Sequence, residues 1–442
     1  MSTLTATVLG DVALVVLVSW LFSGLARRFG QPTVIGQIIA GIALGPTLLG
    51  HLPGDLSTYL FPAGARPFLA MLSQIAIVLF MFVAGYEIDF RTFRAGRTAV
   101  DVAVAALLVP MGLGLAAVQL GGGLFSAVDP AHAGHRSFSL FMAVAVSITA
   151  LPVLAAIVRE RGAAGTRAGT VALAAAGLMD VVAWLVLAAV LSESGQPIPF
   201  SWMVALALLA VFTAFLFGVA RPAMRWWLDR PAGLMSSPVP AALILALGSA
   251  WVTQSLGLHA VFGGFLAGLA MPRRGGAPNA DVLEPMEQTS AALLPLFFVT
   301  TGLSVDISSL GASDFALLGV LVLIAVAGKA LPTYGVTRLR GMEPRESALV
   351  AVMVNTRGLT ELIALDVGRT AGLIGQRLYA VLVLMALITT FMTGPLLQLI
   401  GKGRGDGRPE GRPGQLEHSG STTAHSAQTA GVGGEEAGEK SA

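Results

Sequence analysis

The chain of 442 residues has no cysteine and few charges, since Asp, Glu, Lys and Arg together make up 12% of it. The lack of cysteine excludes disulfide bonds and thiolate metal sites. A soluble globular protein carries about twice that charged fraction. Lysine is scarce too, with three residues, so nearly every positive charge is an arginine. Hydrophobic residues make up 55% of the chain, and this composition indicates a protein whose solvent is lipid.

Long apolar runs recur along the sequence and predict membrane-spanning helices. A helix needs roughly 20 apolar residues to cross a ~30 Å hydrocarbon core. Helices satisfy their own backbone hydrogen bonds in lipid, whereas a β-barrel would show short alternating strands. The sequence therefore predicts an all-α polytopic membrane protein with 13 transmembrane helices. Their predicted ranges are 6–26, 33–50, 67–86, 98–120, 138–158, 169–192, 201–220, 237–255, 257–272, 286–304, 315–335, 346–367 and 377–400.

The composition changes abruptly near the end of the chain. Residues 1–400 are predicted to form one transmembrane domain, and residues 401–442 a disordered cytoplasmic tail. The tail is rich in Gly, Ser, Thr, Glu and Arg and has too few large apolar residues to bury a core. At the other end, the first arginine is Arg27, so no basic residue precedes the first apolar run. We therefore expect a retained first span rather than a cleaved signal peptide.

The arginines of the connecting loops predict the orientation, because positively charged loops favour the cytoplasmic side. With the N-terminus outside, the cytoplasmic loops carry 16 arginines and the opposite loops carry four. Those four are Arg66, Arg136, Arg369 and Arg377. We expect a multi-pass protein of a bacterial plasma membrane with its N-terminus outside and its C-terminus in the cytoplasm. The loops also explain the basic charge without a nucleic-acid partner.

Ionisable residues inside predicted spans are the first candidates for a functional site, because a charge is costly in lipid. They are Asp11, Asp101, Asp180, Lys329, Arg357, Glu361 and Asp366. Asp180 lies in the middle of the sixth span, and nothing in its own helix neutralises it. Desolvation penalises its anion, so we expect it to hold a proton or to exchange that proton for a cation. The alternative is a structural carboxylate paired with another helix.

The other charged candidates also have structural alternatives. Lys329, in the eleventh span, needs a partner, which Asp180 or a nearby acceptor could supply. It could take part in transport, hold two bundles together, or extend its side chain to the end of the span. Arg357 and Glu361 are four residues apart, and this spacing predicts a local ion pair.

The remaining titratable candidates are expected to be structural. Asp11 and Asp101 lie nearer to span ends, where they could reach water, and Asp366 lies close to a span boundary. His259 opens the short ninth span, and a lone histidine is more often a packing or interface residue than a pH sensor.

Two spans combine polar residues with a helix breaker, and each predicts a discontinuous helix. The residues concerned are Ser147, Thr149 and Pro152 in the fifth span and Asn355, Thr356 and Gly358 in the twelfth. Proline removes a helix hydrogen bond and frees a carbonyl. Unwound backbone inside a membrane is tolerated only where it lines a cavity or is buried in protein. Secondary transporters place cation sites at such interruptions, one in each half of an inverted repeat.

Other familiar patterns point away from an enzyme. The segments 36–41 and 263–268 are rich in glycine and alanine, and they predict faces for close helix contact. They are not phosphate loops, because no Lys-Ser/Thr pair follows them. The sequence has no HExxH, no Gly-x-Ser-x-Gly and no histidine cluster with metal spacing. We therefore expect neither catalysis nor a cofactor.

An ordered set of motifs resembles the monovalent cation:proton antiporters, the sodium/hydrogen exchanger domain of the Kef-type and plant cation/proton exchanger branch. The resemblance covers roughly residues 10–400. The motifs are GQPTVIG (30–36), AGIALGP (40–46), FVAGYEID (82–89), SITALPV (147–153), DVVAW (180–184), PLFFV (295–299) with Gly302-Leu303, and NTRG (355–358).

The resemblance implies an inverted-repeat fold with two crossed discontinuous helices, a core domain that moves the ion, and a dimerisation domain, hence a homodimer. It implies that Asp180 carries the ion, that Lys329 corresponds to the family's basic residue in the eleventh span, and that the unwound segments lie at 149–152 and 355–358. The chain departs from many relatives at two positions. Met179 replaces an Asp or Asn, which favours one proton per cation, and Gln254 stands where relatives often carry an acid.

We therefore expect exchange of Na⁺ or K⁺ for protons by alternating access. Deprotonated Asp180 would bind the cation, helped by the Thr149 hydroxyl and by freed carbonyls. A cation-coupled solute symporter is one alternative, and it would need more polar lining than the sequence offers. A non-transporting membrane sensor is another, in which Asp180 and Lys329 would matter only for stability.

Overall fold

The computed structural model describes residues 2–31, 33–51, 56–87, 96–121, 125, 134–160, 162–163, 165–192, 202–228, 237–256 and 259–401. Within these ranges the chain forms 17 α-helices, and the only bridge is an isolated pair between Arg274 and Ala277. The predicted all-α fold is confirmed. The predicted tail beyond Gly401 lies outside the described residues, so its disorder stays a prediction.

The helices follow the predicted spans closely. They are α1 (Ser2–Arg28), α2 (Thr33–Leu44), α3 (Leu56–Leu60), α4 (Arg66–Glu87), α5 (Arg97–Leu120), α6 (His135–Ala145), α7 (Leu151–Glu160), α8 (Arg167–Ser192), α9 (Trp202–Phe215), α10 (Arg221–Leu228), α11 (Val239–Ser255), α12 (Ala260–Ala270), α13 (Ala280–Leu303), α14 (Ala312–Leu339), α15 (Pro344–Val354), α16 (Leu359–Thr370) and α17 (Gln376–Gly401). A 3₁₀ turn, Leu49–His51, follows α2, and a π-helical turn, Leu216–Ala220, joins α9 to α10.

Seven continuous helical stretches among the described residues are each long and apolar enough to cross a membrane. They are Leu4–Arg28, Arg66–Glu87, Arg97–Leu120, Arg167–Leu191, Ala207–Leu228, Ala312–Leu339 and Gln376–Ile400. The fifth runs through α9, the π-helical turn and α10. The other predicted spans coincide with shorter apolar helices, with α13, or with the pairs α6–α7 and α15–α16. The number of membrane crossings therefore stays a prediction, whereas the multi-pass architecture is confirmed.

The helices form two packed groups joined by α9 and α10. The scaffold group consists of α1, α2, α4, α11, α12 and α13, in which α4 packs on α12 and α13, and α2 packs on α1 and α13. The core group consists of α5 to α8 and α14 to α17, in which α5 packs on α14, α6 and α8.

The packing pattern repeats between the two halves of the chain. The contact between α1 and α2 has its counterpart in the contact between α11 and α12. The contact between α2 and α13 has its counterpart in the contact between α12 and α4. In the core group, α5–α6 corresponds to α14–α15, and α5–α8 to α14–α17. Each correspondence pairs a helix of the first half of the chain with one of the second. The inverted orientation of the two halves stays a prediction.

Glycines allow the scaffold helices to approach backbone to backbone. A Cβ atom at Gly36 would lie 2.3 Å from the carbonyl oxygen of Phe22 on α1, and one at Gly268 would lie 2.0 Å from that of Phe82 on α4. Contacts this short admit no side chain, so the glycine–alanine faces predicted at 36–41 and 263–268 are confirmed.

The expectation that Asp11 reaches water is wrong. Helix α1 begins at Ser2, two turns before it, and turns Asp11 onto the same buried face as Val15 and Ser19. The side chain is 5% exposed, and its Oδ2 atom has no hydrogen-bond partner among the described residues.

Candidate functional site

The fifth predicted span is broken between α6 and α7, where residues 146–150 leave the helix. Pro152 is the second residue of α7 and has no N–H to donate to the carbonyl of Ile148, four residues earlier. The Ser147 hydroxyl turns back to the carbonyl of Val144 at 2.8 Å. The break therefore leaves the Ile148 carbonyl available to a donor from another helix, as predicted.

The twelfth predicted span is broken between α15 and α16. Gly358 immediately precedes α16 with φ 153° and ψ −125°, a backbone conformation that residues other than glycine rarely adopt. A Cβ atom there would also lie 2.8 Å from Cγ2 of Val153 on α7. The glycine thus allows the helix to break and α7 to pack against the break.

The two breaks are in direct contact. The backbone N–H of Ala150 donates to the carbonyl of Thr356 at 3.1 Å. The Thr149 hydroxyl donates to the carbonyl of Val354 at 3.2 Å, and the Thr360 hydroxyl donates to the carbonyl of Thr149 at 3.2 Å. Each break thus satisfies backbone groups that the other leaves unpaired, which lipid requires. The crossing of the two helices, as the resemblance implies it, stays a prediction.

Lys329 enters this junction from α14 and is fully buried. Its Nζ donates to the carbonyl of Ile148 at 2.7 Å and to the Thr149 hydroxyl at 2.5 Å. The alternative in which Lys329 extends to the end of its span is therefore wrong, because both acceptors lie at the break. Among the described residues no ion pair within 4.0 Å joins Lys329 to Asp180.

Arg357 and Glu361 form the predicted ion pair, with Nη1 and Oε1 2.7 Å apart and both side chains fully buried. Arg357 reaches further than its own helix. It donates from Nη1 to the carbonyl of Ala145 at 3.0 Å and from Nη2 to the carbonyl of Val146. A positive charge thus caps the carboxyl end of α6, where the helix dipole favours it. The pair joins the second break to the first.

Asp180 lies on α8 with 4% of its surface exposed. Its Oδ2 accepts a hydrogen bond of 3.3 Å from the backbone N–H of Leu151, the first residue of α7. The amino end of a helix attracts an anion, so α7 presents its positive pole to this carboxylate. The other oxygen, Oδ1, has no hydrogen-bond partner among the described residues.

Further oxygens at the second break are also buried and unpaired. Asn355 is 3% exposed and Thr356 is fully buried. In the described part of the chain, Asn355 Oδ1, Thr356 Oγ1 and Glu361 Oε2 have no hydrogen-bond partner. A buried polar atom without a partner is costly, so such atoms need an explanation. Oxygens of this kind are suited to bind a small cation that has lost part of its water.

Sequence reasoning missed one hydroxyl of the junction, that of Thr390. The Thr390 hydroxyl, on α17, donates to the carbonyl of Arg357 at 2.9 Å. A threonine in an apolar helix commonly bonds to its own helix, as Thr389 does with Met385 at 2.9 Å. The sequence therefore offers no signal that separates Thr390 from its neighbour.

The other predicted charged residues lie away from the breaks. Asp101 pairs with Arg340 at the protein surface, and Asp366 pairs with Arg369 at 2.8 Å. His259 precedes α12, where its Nδ1 accepts from the backbone N–H of Val261 at 3.5 Å. The described residues contain no group of three or more His, Cys, Asp or Glu that could hold a metal ion.

A cavity of about 540 Å³ lies between the scaffold group and the core group. Its lining includes Ser73 and Thr300 from the scaffold group, and Asp366 and Arg369 from the core group. It also includes residues of the connections that follow α2 and α13, namely Pro46, Gly50, Ser304 and Asp306. Since α2 leads away from the α1–α2 turn, the cavity lies on the side of the membrane opposite to that turn.

The sequence matches a known protein family and several of its members. Residues 12–402 match the family described as sodium/hydrogen exchanger, transmembrane. The chain is 34% identical over 395 residues to the Na⁺/H⁺ antiporter NhaS4 of Synechocystis, covering 88% of this chain and 96% of that protein. It is 35% identical to cation/H⁺ antiporter 20 of Arabidopsis thaliana, covering 89% of this chain, and 32% identical to K⁺/H⁺ antiporter 1 of Saccharomyces cerevisiae, covering 84%. The chain spans about half of these two relatives, 48% and 43% of their length.

Solved structures show the same fold. The chain superposes on the sodium proton antiporter MjNhaP1 of Methanocaldococcus jannaschii with a TM-score of 0.59 and 14% identity, covering 91% of this chain and 99% of that one. At this identity the likeness concerns the fold alone. The family match and the relatives together place the chain: it belongs to the sodium/hydrogen exchanger family of multi-pass membrane proteins.

Proposed function

We propose that this protein exchanges a monovalent cation, Na⁺ or K⁺, for protons across a membrane, with Asp180 as the binding group that the two share. One observation carries the proposal. A carboxylate is buried where two broken helices meet, with one oxygen held by the amino end of α7 and the other unpaired. The names of the relatives, which are antiporters for cations, Na⁺ or K⁺ with H⁺, support both ions as substrates.

The chemistry is competition for one negative charge. Deprotonated Asp180 binds the cation, and protonation removes the charge that holds it. Further oxygen ligands for the cation come from the side chains of Ser147, Thr149, Asn355 and Thr356, which the two breaks bring to the same junction. A ligand set of one carboxylate and several neutral oxygens suits a monovalent cation better than an uncharged solute.

The number of exchangeable acids favours one proton per cation. Glu361 is the other fully buried carboxylate at the breaks, and Arg357 neutralises it at 2.7 Å. Met179 replaces the second polar group that many relatives carry beside the acid of the sixth span. Asp180 is then the single acid free to gain and lose a proton.

Movement of the core group against the scaffold group would expose Asp180 to each side in turn. The cavity of about 540 Å³ between the groups supports this division, because both groups line it. The charge distribution of the loops supports an outside N-terminus and a cytoplasmic C-terminus in a bacterial plasma membrane. We further propose a homodimer formed through the scaffold group, as the family resemblance implies. Neither symport nor sensing is favoured by an observation on the chain.

The test is cation-driven proton movement in proteoliposomes that contain the full chain. Pulses of Na⁺ and K⁺ are applied to the wild type, to Asp180→Asn and to Asp101→Asn, while an internal dye reports pH. Asp180→Asn keeps the size and the Leu151 contact but removes the charge, so exchange should fall to background. Asp101→Asn alters a surface carboxylate paired with Arg340 and should exchange normally. Full exchange by Asp180→Asn would overturn the proposal.

A further inference from the structure

The motif GQP at the end of α1 has no part in the site described so far. Gly30 adopts a left-handed conformation with φ 67°. Its N–H donates to the carbonyl of Arg27 at 2.9 Å, and the N–H of Gln31 donates to that of Ala26 at 2.9 Å. These two bonds form the glycine-based stop that ends many helices. The turn directs Gln31 back towards the protein, where its side chain is 7% exposed.

The Gln31 amide lies over Gly394 on α17, so a scaffold residue faces a residue of the core group. A Cβ atom at Gly394 would lie 3.8 Å from Nε2 and 3.9 Å from Oε1 of Gln31. The Oε1 atom is buried and has no hydrogen-bond partner among the described residues. An unpaired amide oxygen costs free energy in such a place, so packing alone does not account for a glutamine here.

Gly394 differs from the glycines that bring scaffold helices together. No atom would come nearer than 3.6 Å to its Cβ, which is ordinary contact distance, so an alanine would fit. At Gly36 and Gly268 the corresponding distances are 2.3 and 2.0 Å. Close helix packing therefore requires glycine at those two positions and not at Gly394.

Gly394 is part of a strip of one face of α17 that reaches the second break. Thr390, Gly394 and Gln398 are four residues apart and so lie on one face, over roughly 12 Å of helix. Thr390 donates to the carbonyl of Arg357 at the break. At the other end, Nε2 of Gln398 would lie 3.9 Å from a Cβ atom at Gly30. This strip thus connects the junction of the breaks to the α1–α2 turn.

The two sides of the membrane are therefore unlike. On one side the scaffold and core groups enclose a cavity of about 540 Å³. On the other side, which holds the α1–α2 turn, Gln31 is seated on the strip of α17. An exchanger of alternating access needs a route to the breaks from each side, and the two routes cannot be open at the same time.

We propose that Gln31 is a positioning residue that gates the second route, which runs from the breaks along Thr390, Gly394 and Gln398 to the α1–α2 side. In the structure its amide covers Gly394 and closes the route. When the core group moves away from the scaffold group, the unpaired Oε1 becomes an oxygen ligand for a partly dehydrated Na⁺ or K⁺ in passage. The inference rests on the proposed function and deepens it.

The natural absence of cysteine allows a direct test by thiol labelling. Gly394→Cys places one thiol beneath Gln31, at a position with room for a Cβ atom. Phe391→Cys is the matched control, because that side chain is three residues away and 51% exposed on the apolar outer surface. Sealed membrane vesicles of each orientation, containing the full chain, are treated with a charged thiosulfonate that does not cross membranes. The rate of labelling is measured with and without the further change Gln31→Ala.

We expect Gly394→Cys to be labelled from the α1–α2 side and not from the cavity side, and Phe391→Cys from neither. Gln31→Ala should raise the rate at Gly394→Cys severalfold, because the side chain that covers the thiol is removed. Labelling only from the cavity side, no labelling from either side, or no effect of Gln31→Ala would overturn the proposal. Each variant should elute from a size-exclusion column in detergent at the same volume as the wild type, which shows that it is folded.

Thiol labelling does not require ion exchange, so the test of the second route is independent of the test of Asp180. Sided labelling together with full exchange by Asp180→Asn would leave the route standing and overturn the role of Asp180. Loss of exchange in Asp180→Asn without sided labelling would leave the role of Asp180 standing and overturn the route.

Discussion

The two helix breaks share a backbone arrangement and differ in charge. At the first break, two positive side chains cap free carbonyls: Lys329 at Ile148, and Arg357 at Ala145. The carboxylate of Asp180 faces the amino end of α7 at the same break.

At the second break, the backbone carbonyls accept hydrogen bonds from neutral donors. The Thr149 hydroxyl donates to the carbonyl of Val354, and the N–H of Ala150 donates to that of Thr356. The difference shows that a repeat can place two similar breaks side by side while the chemistry is concentrated at one. In the proposed exchange, the cation and the proton compete at the first break, and the second break supplies support and neutral oxygens.

The largest expected loss of stability comes from removing the Arg357–Glu361 ion pair, which joins the two helix breaks. Glu361→Gln leaves the guanidinium of Arg357 buried without its counter-charge. We expect a loss of about 3–5 kcal/mol in the free energy of unfolding, measured by thermal denaturation in detergent.

The surface pair Asp101–Arg340 is the matched control, since its side chains are 34% and 43% exposed. Asp101→Asn should cost less than about 1 kcal/mol. The double change Arg357→Met with Glu361→Leu should be milder than Glu361→Gln. Equal losses at the buried and the surface pair would contradict this account of the breaks.

Lys329→Met tests the charge that is specific to the first break. It removes the two hydrogen bonds that Nζ donates at the break and should cost about 2–3 kcal/mol of the free energy of unfolding, because hydrogen bonds from a charged group are the stronger kind. Lys329→Arg, which keeps a charge and several donors, should recover part of the stability. Unchanged stability of Lys329→Met would show that the Ile148 carbonyl needs no cap.

Gly358→Ala tests the backbone of the second break. The change forces a side chain into φ 153° and towards Cγ2 of Val153 at 2.8 Å, and should cost about 2 kcal/mol. The control is Gly319→Ala on α14, where a Cβ atom would meet nothing within 4 Å and helix propensity favours alanine. Equal melting temperatures for the two variants would mean that the second break does not depend on its glycine.

Thr360→Val should give the smallest effect, a loss of about 1 kcal/mol, because one neutral hydrogen bond to the Thr149 carbonyl is removed. Thr213→Val is the comparison, since the Thr213 hydroxyl bonds within its own helix to Leu209. The account predicts that Thr360→Val lowers stability more than Thr213→Val. The reverse order would show that the contact between the breaks contributes little.

Much of this architecture could be predicted from the sequence because local rules govern it. Apolar runs predicted the helices, Pro152 predicted the first break, and Gly358 the second. Asp180 is a candidate site residue from the sequence alone, because an acid in the middle of an apolar span is exceptional. These signals depend on residues close together in the chain.

What the sequence could not supply were contacts between distant segments. Lys329 meets Ile148 across 181 residues of chain, and nothing local indicates that a carbonyl freed by Pro152 is its partner. Asp11 was misplaced because its burial depends on how α1 is turned against its neighbours. Thr390 was missed because its hydroxyl has the same local alternatives as that of Thr389.

The most direct test of competition at Asp180 is the release of protons when a cation binds. Na⁺ or K⁺ is added to purified wild type and Asp180→Asn in weakly buffered detergent solution, and the pH change is recorded. The account predicts release of up to about one proton per chain by the wild type and none by Asp180→Asn, and a half-saturating cation concentration that rises as pH falls, because linkage is reciprocal. Equal proton release by the two proteins, or cation binding by the wild type without release, would contradict it.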